Sequence, residues 1–200
     1  MTDARQHSPA AQRNRDPILN VLRRTLPESG LVLEIASGSG EHIVHFAANL
    51  PGLVFQPSDP KPEALASIAA WIEAAGVSNV RPPIRLETHQ PFWPIANAAA
   101  IVCINMVHIS PWEATVGLIT GAAAILPLGA PLYLYGPYLR RNVATAPSNE
   151  AFDRSLRERN PAWGLRALED VAAVAAASGF SAPEITEMPA NNLSVAFKHG

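Results

Sequence analysis

The chain has 200 residues, of which 48% are hydrophobic and 16% charged, so a disordered protein is excluded and a sizeable core is expected. Its net charge of −2 argues against a general nucleic-acid surface, and its single cysteine excludes an internal disulfide and a cysteine-built zinc site. The 19 prolines exclude a long helical bundle, because proline removes a backbone donor and interrupts a helix.

The elements predicted in chain order alternate between helices and strands. A polar arm occupies residues 1–16, and Asp16 followed by Pro17 is a helix-start signature, so the first helix is expected to begin there. A later signature, Ser110 to Glu113, has the spacing of a capping box. Apolar periodicity and glycine or proline boundaries place strands near residues 31–36, 53–59, 84–88, 99–106, 132–135, 182–188 and 193–198, and helices near 17–26, 41–50, 62–75, 111–126, 149–159 and 168–178.

This order predicts an α/β fold. Strands that alternate with helices form a parallel sheet with right-handed crossover connections. The last two strands are separated only by the turn at residues 189–192, so they are expected to pair antiparallel. The sequence has no internal repeat, no linker, no signal-peptide core and no apolar stretch long enough for a membrane span, so we expect one cytoplasmic domain over residues 1–200.

A glycine turn follows the first predicted strand, at the sheet edge where open parallel sheets bind ligands. A dinucleotide would favour glycine or alanine where Ile43 stands, and Glu41 opposes a pyrophosphate at the helix start. A nucleoside with a cationic amino-acid tail, such as S-adenosylmethionine (SAM), fits an acidic strand end better. The alternative is a structural turn without a ligand. The residues concerned are Glu34, Ala36, Gly38 and Gly40.

An acidic residue follows the second predicted strand. Asp59 lies after the glycine turn at the distance where a carboxylate typically binds ribose hydroxyls. A carboxylate can accept hydrogen bonds from both hydroxyls at once. Pro60 and Pro62 leave a helix cap as the alternative.

Further candidates follow the third, fourth and fifth strands. Side chains after the third strand could reach an adenine edge, and those after the fourth could line the pocket. On the acceptor side, one histidine could act as a base and two tyrosines could line a substrate cavity, and these are weaker candidates. For every candidate after the third, fourth and fifth strands, the alternative is a purely structural role in packing. His42 and His45 share a helix face but lack a third ligand, so no metal is expected. The adenine-side residues are Thr88 and His89, the fourth-strand residues are Asn105 and Met106, and the acceptor-side residues are His108, Tyr135 and Tyr138.

Residues 34–40 resemble the SAM-binding motif of class I methyltransferases, with Ala36 at the position of the usual first glycine. Over nearly the whole chain, the sequence more closely resembles an uncharacterised methyltransferase-like family found in bacteria and animals. The matching stretches are RNRDPIL at 13–19, LEIASGSG at 33–40, QPSD at 56–59, CINMVHISPW at 103–112, YGPY at 135–138, NPAWGLR at 160–166 and MPANN at 188–192.

The resemblance implies a Rossmann-like, seven-stranded, mostly parallel sheet with an antiparallel last strand and helices on both faces. It also implies SAM as cofactor, with the glycine turn around the methionine part and Asp59 at the ribose. The matching N-terminal arm implies that Arg13 and Asn14 fold over the pocket, near the cofactor carboxylate.

The leading hypothesis is therefore a SAM-dependent methyltransferase that acts on a small molecule and releases S-adenosylhomocysteine. A non-catalytic SAM-binding or scaffold protein is the alternative, because no acceptor base is identifiable. A nicotinamide-dependent oxidoreductase is a third hypothesis, based on the same turn, and the missing third glycine argues against it. Neither charge nor motif indicates a nucleic-acid partner.

Overall fold

The residues that the structure describes, 3–200 of the computed structural model, form six α-helices and seven strands. The helices are α1 (Pro9–Thr25), α2 (Glu41–Asn49), α3 (Pro62–Ala75), α4 (Trp112–Ile125), α5 (Pro147–Arg159) and α6 (Leu168–Ala177). The strands are β1 (Gly30–Ile35), β2 (Leu53–Asp59), β3 (Ile84–Arg85), β4 (Ala100–Ile104), β5 (Pro131–Gly136), β6 (Glu184–Met188) and β7 (Asn192–Lys198).

The strands form one sheet in the order β3-β2-β1-β4-β5-β7-β6. Neighbouring strands from β3 to β5 pair parallel, whereas β7 runs antiparallel to both β5 and β6. The predicted α/β class, the seven strands and the antiparallel closing strand are therefore confirmed. The strand order reverses direction between β1 and β4, so a crevice opens there at the carboxyl edge.

Two apolar layers cover the sheet. Successive side chains of a strand point to opposite faces, and β4 shows this alternation clearly. Ala100, Val102 and Ile104 pack towards α1, α2 and α3, whereas Ile101 and Cys103 pack towards α4 and α6. Helices therefore lie on both faces, as predicted. Within residues 3–200, no helix is both long and apolar enough to cross a membrane.

The predicted start of the first helix is wrong. Helix α1 begins at Pro9, the Ser8 hydroxyl accepts a hydrogen bond from the Ala11 backbone N–H, and Pro17 lies inside the helix. Ser8-Pro9 carries the same start signature as Asp16-Pro17, eight residues earlier in the chain. The earlier start prevails because Ala11 becomes buried.

The predicted capping box before α4 is also wrong. Helix α4 begins at Trp112 without a side-chain cap, and the Ser110 hydroxyl is buried with no hydrogen-bond partner. Ser110 is instead held through its carbonyl oxygen, which accepts a hydrogen bond from Arg166 Nη2 at 2.9 Å. Arg166 thus fixes the backbone before α4, while no side chain caps the helix.

Candidate functional site

A cavity of about 540 Å³ opens at the carboxyl edge of β1, β2 and β4. Its position matches the crevice at the reversal of strand order, where open α/β sheets bind ligands. Its wall includes seven residues predicted from the sequence for the cofactor site: Ala36, Gly38, Asp59, Thr88, His89, Asn105 and Met106.

The glycine turn after β1 combines a cavity wall with a packing contact. Ala36 and Gly38 adopt left-handed backbone conformations, with φ of 56° and 58°, and both line the cavity. Gly40 does not line it, because a Cβ at that position would lie 2.8 Å from the Cα of Ile68 in α3. Gly40 therefore allows α2 and α3 to approach closely, whereas Gly38 brings backbone to the cavity.

The Asp59 carboxylate is fixed by two backbone donors. Its Oδ2 accepts from the Gly38 N–H and its Oδ1 from the Lys61 N–H, both at 3.0 Å. The side chain is buried in the cavity wall. Each carboxylate oxygen has a second lone pair, so Asp59 can still accept from two further donors.

Glu34 is the most unusual ionisable group near the cavity. The residue is only 2% exposed, and its Oε2 has no hydrogen-bond partner. Burial raises the pKa of this carboxyl to about 8; a hydrogen bond from Ser37 opposes the shift and the nearby Asp59 charge adds to it. Glu34 lies behind the wall formed by its chain neighbours and is protonated at neutral pH.

Two glycines of α4 allow the segment after β3 to pack tightly against that helix. A Cβ at Gly117 would lie 2.3 Å from the Thr88 carbonyl oxygen, and one at Gly121 would overlap the Trp93 ring. The Thr88 hydroxyl also donates to the Ala114 carbonyl oxygen at 2.8 Å. The helix backbone therefore sets where Thr88 and His89 enter the cavity wall, a role that the sequence analysis missed.

We expect Gly117→Ala to weaken binding of S-adenosylhomocysteine, since the added methyl must push the segment at Thr88 away from α4. Overpacking of this kind typically costs about 1–3 kcal/mol, so a lower melting temperature is also expected. Calorimetric titration and thermal unfolding measure the two effects. Thr120→Ala changes an exposed residue of the same helix and should alter neither; unchanged affinity in Gly117→Ala would contradict this role.

The three acceptor-side candidates lie outside the cavity wall. The His108 ring packs against Gly136 and lies 5.5 Å from the Phe152 ring. Burial, with the charges of Arg159 and Arg166, lowers the pKa of His108 to about 4. Tyr135 and Tyr138 are buried in the core, where burial raises the pKa of both hydroxyls.

An N-terminal strap, residues 5–11, crosses the cavity on the side of α2 and α3. Gln6, Ser8 and Ala11 line the cavity, and the Gln6 N–H donates to the Ser67 hydroxyl at 2.8 Å. The Trp71 indole donates to the Gln6 carbonyl oxygen at 2.9 Å. The strap therefore forms part of the cavity wall, a contribution that the local sequence pattern did not predict.

Glu41 holds the strap in place. This buried carboxylate accepts from the Ser8 N–H at 2.5 Å, from the Gln12 amide at 3.3 Å and from the Ser39 hydroxyl at 3.1 Å. His7 lies 3.7 Å away from it. One acidic side chain thus connects the strap, α1 and the glycine turn.

We expect Glu41→Gln to loosen the strap, because hydrogen bonds to a charged acceptor contribute about 1.5–3 kcal/mol each. Amide hydrogen exchange should become at least tenfold faster over residues 5–11, while the core strands exchange as before. Glu63→Gln is the matched control, since Glu63 contacts the strap only through its backbone carbonyl oxygen. Equal exchange rates in wild type and Glu41→Gln would contradict the role of Glu41.

The two arm residues predicted to fold over the pocket lie in α1. Arg13 is exposed and does not line the cavity. Asn14 Oδ1 lies 2.8 Å from His42 Nε2. Burial lowers the pKa of His42 to about 4, so this cavity-lining imidazole is uncharged. Asn14 therefore supports the wall from behind.

The sheet order and the cavity define the fold of the class I SAM-dependent methyltransferases. The family described as "Protein of unknown function (DUF938)" matches residues 5–199. The chain belongs to this family, in agreement with the resemblance drawn from its sequence.

Individual relatives and solved structures agree with this fold. A tRNA (guanine-N(7)-)-methyltransferase of Rhodopseudomonas palustris is 35% identical over 80 residues, which cover 40% of this chain and 31% of the relative. An O-methyltransferase family protein from Burkholderia thailandensis superposes with a TM-score of 0.80 at 16% identity, over 96% of this chain and 57% of that one. Human N-acetylserotonin methyltransferase in complex with SAM gives a TM-score of 0.78 at 12% identity, over 96% and 53%. The chain thus spans about half the length of these solved structures.

Proposed function

We propose that this protein is a SAM-dependent methyltransferase acting on a small-molecule acceptor. The observation that carries the proposal is the presence of two carboxyl groups, one in the cavity wall and one behind it. Asp59 is fixed in the wall with free lone pairs, and Glu34 lies behind it with an unpartnered oxygen. A ligand with a hydroxyl-bearing ribose and a cationic tail complements both groups.

In this proposal each part of the cavity has a separate task. The backbone at Ala36 and Gly38 contacts the methionine part, and the ionised carboxylate of Glu34 behind this wall complements the charge of the ammonium group. Asp59 accepts from the ribose hydroxyls, and Thr88 and His89 flank the adenine. Asn105 and Met106, which follow β4, complete the cofactor side of the cavity wall.

When bound, SAM supplies a methyl group already activated by its sulfonium centre. The chain therefore needs to align the acceptor and exclude water more than it needs a strong base. The strap over residues 5–11 suits this task, because it narrows the cavity to a space that favours a small acceptor. Uncharged His42 adds no positive charge to repel the sulfonium.

Calorimetric titration of the purified chain with SAM, S-adenosylhomocysteine and NAD tests the cofactor assignment. Saturable binding of the first two with a stoichiometry near one is expected. Absence of binding by both would overturn the proposal, and tight binding of NAD alone would favour an oxidoreductase. Transfer of a labelled methyl group to a compound of a cell extract then separates an enzyme from a non-catalytic SAM-binding protein.

Methylation of an RNA base is a second candidate, favoured by the similarity to tRNA (guanine-N(7)-)-methyltransferases over 40% of the chain. The net charge of −2 weighs against it, because RNA binding depends on neutralising phosphates. Labelled methyl transfer to bulk tRNA would decide for this candidate.

A further inference from the structure

One wall of the cavity lies between the end of β4 and the start of α4, where Ile109, Ser110 and Pro111 bound it. The Ser110 hydroxyl at this wall is buried without a hydrogen-bond partner, and so is Nε of Arg166, which lies behind the wall. The residues touch, since Arg166 Nη2 donates to the Ser110 carbonyl oxygen at 2.9 Å. Buried polar groups are rarely left unpaired, so this pair is a candidate contact for a ligand.

The Arg166 guanidinium forms no ion pair within residues 3–200. Its hydrogen bonds go to the carbonyl oxygens of Ser110 and Ala162, and it lies 5.9 Å from the centre of the Trp112 ring. Asp153 is one of two nearby acids, but it already pairs with Arg157 and accepts from the Leu165 N–H. The other is Glu113, in the first turn of α4.

A second arginine adds to the same positive region. Arg159 lies 5.7 Å from the Trp163 ring and also has no carboxylate partner in the described part of the chain. The charges of Arg159 and Arg166 both reach buried His108 and help to lower its pKa. Residues 137–167, which follow β5 and contain α5, carry six arginines against three acidic residues. Three of these arginines, Arg140, Arg141 and Arg157, form ion pairs with acidic residues.

The cavity therefore has two electrostatic ends. Asp59 marks the end near the glycine turn, where a cationic cofactor fits. At the opposite wall, Arg166 contacts the lining residue Ser110 from behind. A neutral acceptor without polar groups there would leave the Ser110 hydroxyl and Arg166 Nε without a hydrogen-bond partner.

We propose that the methyl acceptor is a small organic anion whose carboxylate or phosphate group binds at Ser110 and Arg166, with Arg159 adding charge. Arginine binds planar and tetrahedral oxyanions through several parallel N–H groups, and a serine hydroxyl can complete the site. This inference rests on the proposed methyltransferase function and specifies its acceptor class. The strap favours a small anion over RNA, whose backbone carries the same phosphate chemistry.

The first test measures anion binding directly, with the chain saturated by S-adenosylhomocysteine. Inorganic phosphate and benzoate are titrated into wild type, Ser110→Ala and Arg166→Gln. Saturable binding of at least one anion is expected, at least tenfold weaker in Arg166→Gln and severalfold weaker in Ser110→Ala. Because the Ser110 hydroxyl has no partner in the fold, Ser110→Ala should keep its thermal stability. It therefore remains informative if Arg166→Gln does not fold.

Arg154→Gln is the matched control, because Arg154 is an exposed residue of α5 outside the cavity wall. It should bind both anions like wild type. No saturable binding of either anion by wild type, or an equal loss in Arg154→Gln, would overturn the inference. Affinity for S-adenosylhomocysteine, measured in the same variants, should not change. If wild type did not bind S-adenosylhomocysteine at all, the proposed function would be overturned instead.

The second test follows the methyl group. Small molecules from a cell extract are separated by anion exchange into retained and unretained fractions. Each fraction, and bulk tRNA in parallel, is incubated with the protein and labelled SAM. Label in the retained small molecules is expected, and it should fall at least tenfold in Arg166→Gln. Label confined to neutral compounds would overturn the anionic acceptor, and label in tRNA would replace it with an RNA substrate.

Discussion

Replacing Asp59 with alanine should weaken binding of S-adenosylhomocysteine by about 1–3 kcal/mol, which corresponds to about 5- to 150-fold. The loss has two sources. The proposed bonds to the ribose hydroxyls disappear, and the Gly38 and Lys61 backbone donors lose the carboxylate that orients them. Calorimetric titration measures the change, and hydrogen exchange of the glycine turn reports the second source separately.

Asp59→Asn is the informative control. It keeps one carbonyl acceptor but cannot accept at both oxygens, so an intermediate loss is expected. Glu63→Gln, at an exposed acid of the same wall, should bind as tightly as wild type. Unchanged affinity in Asp59→Ala would remove the ribose assignment.

Binding of SAM should strengthen as the pH rises from 6 to 8, by up to about tenfold per pH unit. Glu34 holds a proton in this range because burial raises its pKa to about 8. To pair with the ammonium group of a ligand, it must first release that proton. In Glu34→Gln the affinity should be lower at pH 8 and nearly independent of pH.

Proton release gives a direct measurement of this coupling. At pH 7, wild type is titrated in two buffers that have different ionisation enthalpies. The difference between the two observed binding enthalpies should correspond to the release of nearly one proton per bound ligand. The same pair of titrations with Glu34→Gln should agree with each other. A wild-type affinity that does not change between pH 6 and 8 would contradict the assignment of Glu34 to the ammonium group.

The same group predicts how stability depends on pH without ligand. The folded chain keeps the Glu34 proton up to about pH 8, whereas an unfolded chain releases it near 4.5. The Glu34 contribution is therefore fully present below pH 4.5 and is lost as the pH rises towards 8, with a limiting slope of about 1.4 kcal/mol per pH unit. Denaturant unfolding should show that this decline is absent in Glu34→Gln.

Local sequence patterns predicted the sheet well because its strands are short apolar runs bounded by glycine and proline. The helix predicted at 62–75 matches Pro62–Ala75 in the structure. The two helix-start errors have a common physical origin. At Ser8 and at Ser110 the outcome depends on distant partners, Glu41 in one case and Arg166 in the other.

The residues of the candidate site also fall into two groups, those that local sequence predicts and those that depend on tertiary packing. Asp59, Asn105 and their neighbours could be predicted as cavity residues because the carboxyl ends of parallel strands converge at one edge. The strap and Gly117 could not, since their roles depend on tertiary packing against α3 and the segment at Thr88. The two glycines of the turn also have different roles, which the motif alone does not distinguish. Gly38 lines the cavity, whereas Gly40 allows α2 and α3 to pack closely.

The strand order also has a consequence for how the chain folds. Val32 of β1 pairs with Ala100 of β4, so the centre of the sheet joins two segments that are far apart in sequence. Loop-closure entropy makes such a pairing slow to form, and each segment can begin to assemble before it. The cavity takes Gly38 and Asp59 from one segment and Asn105 and Ser110 from the other. A bound ligand would therefore hold the two halves of the sheet together, and S-adenosylhomocysteine should slow global unfolding as well as local opening of the strap.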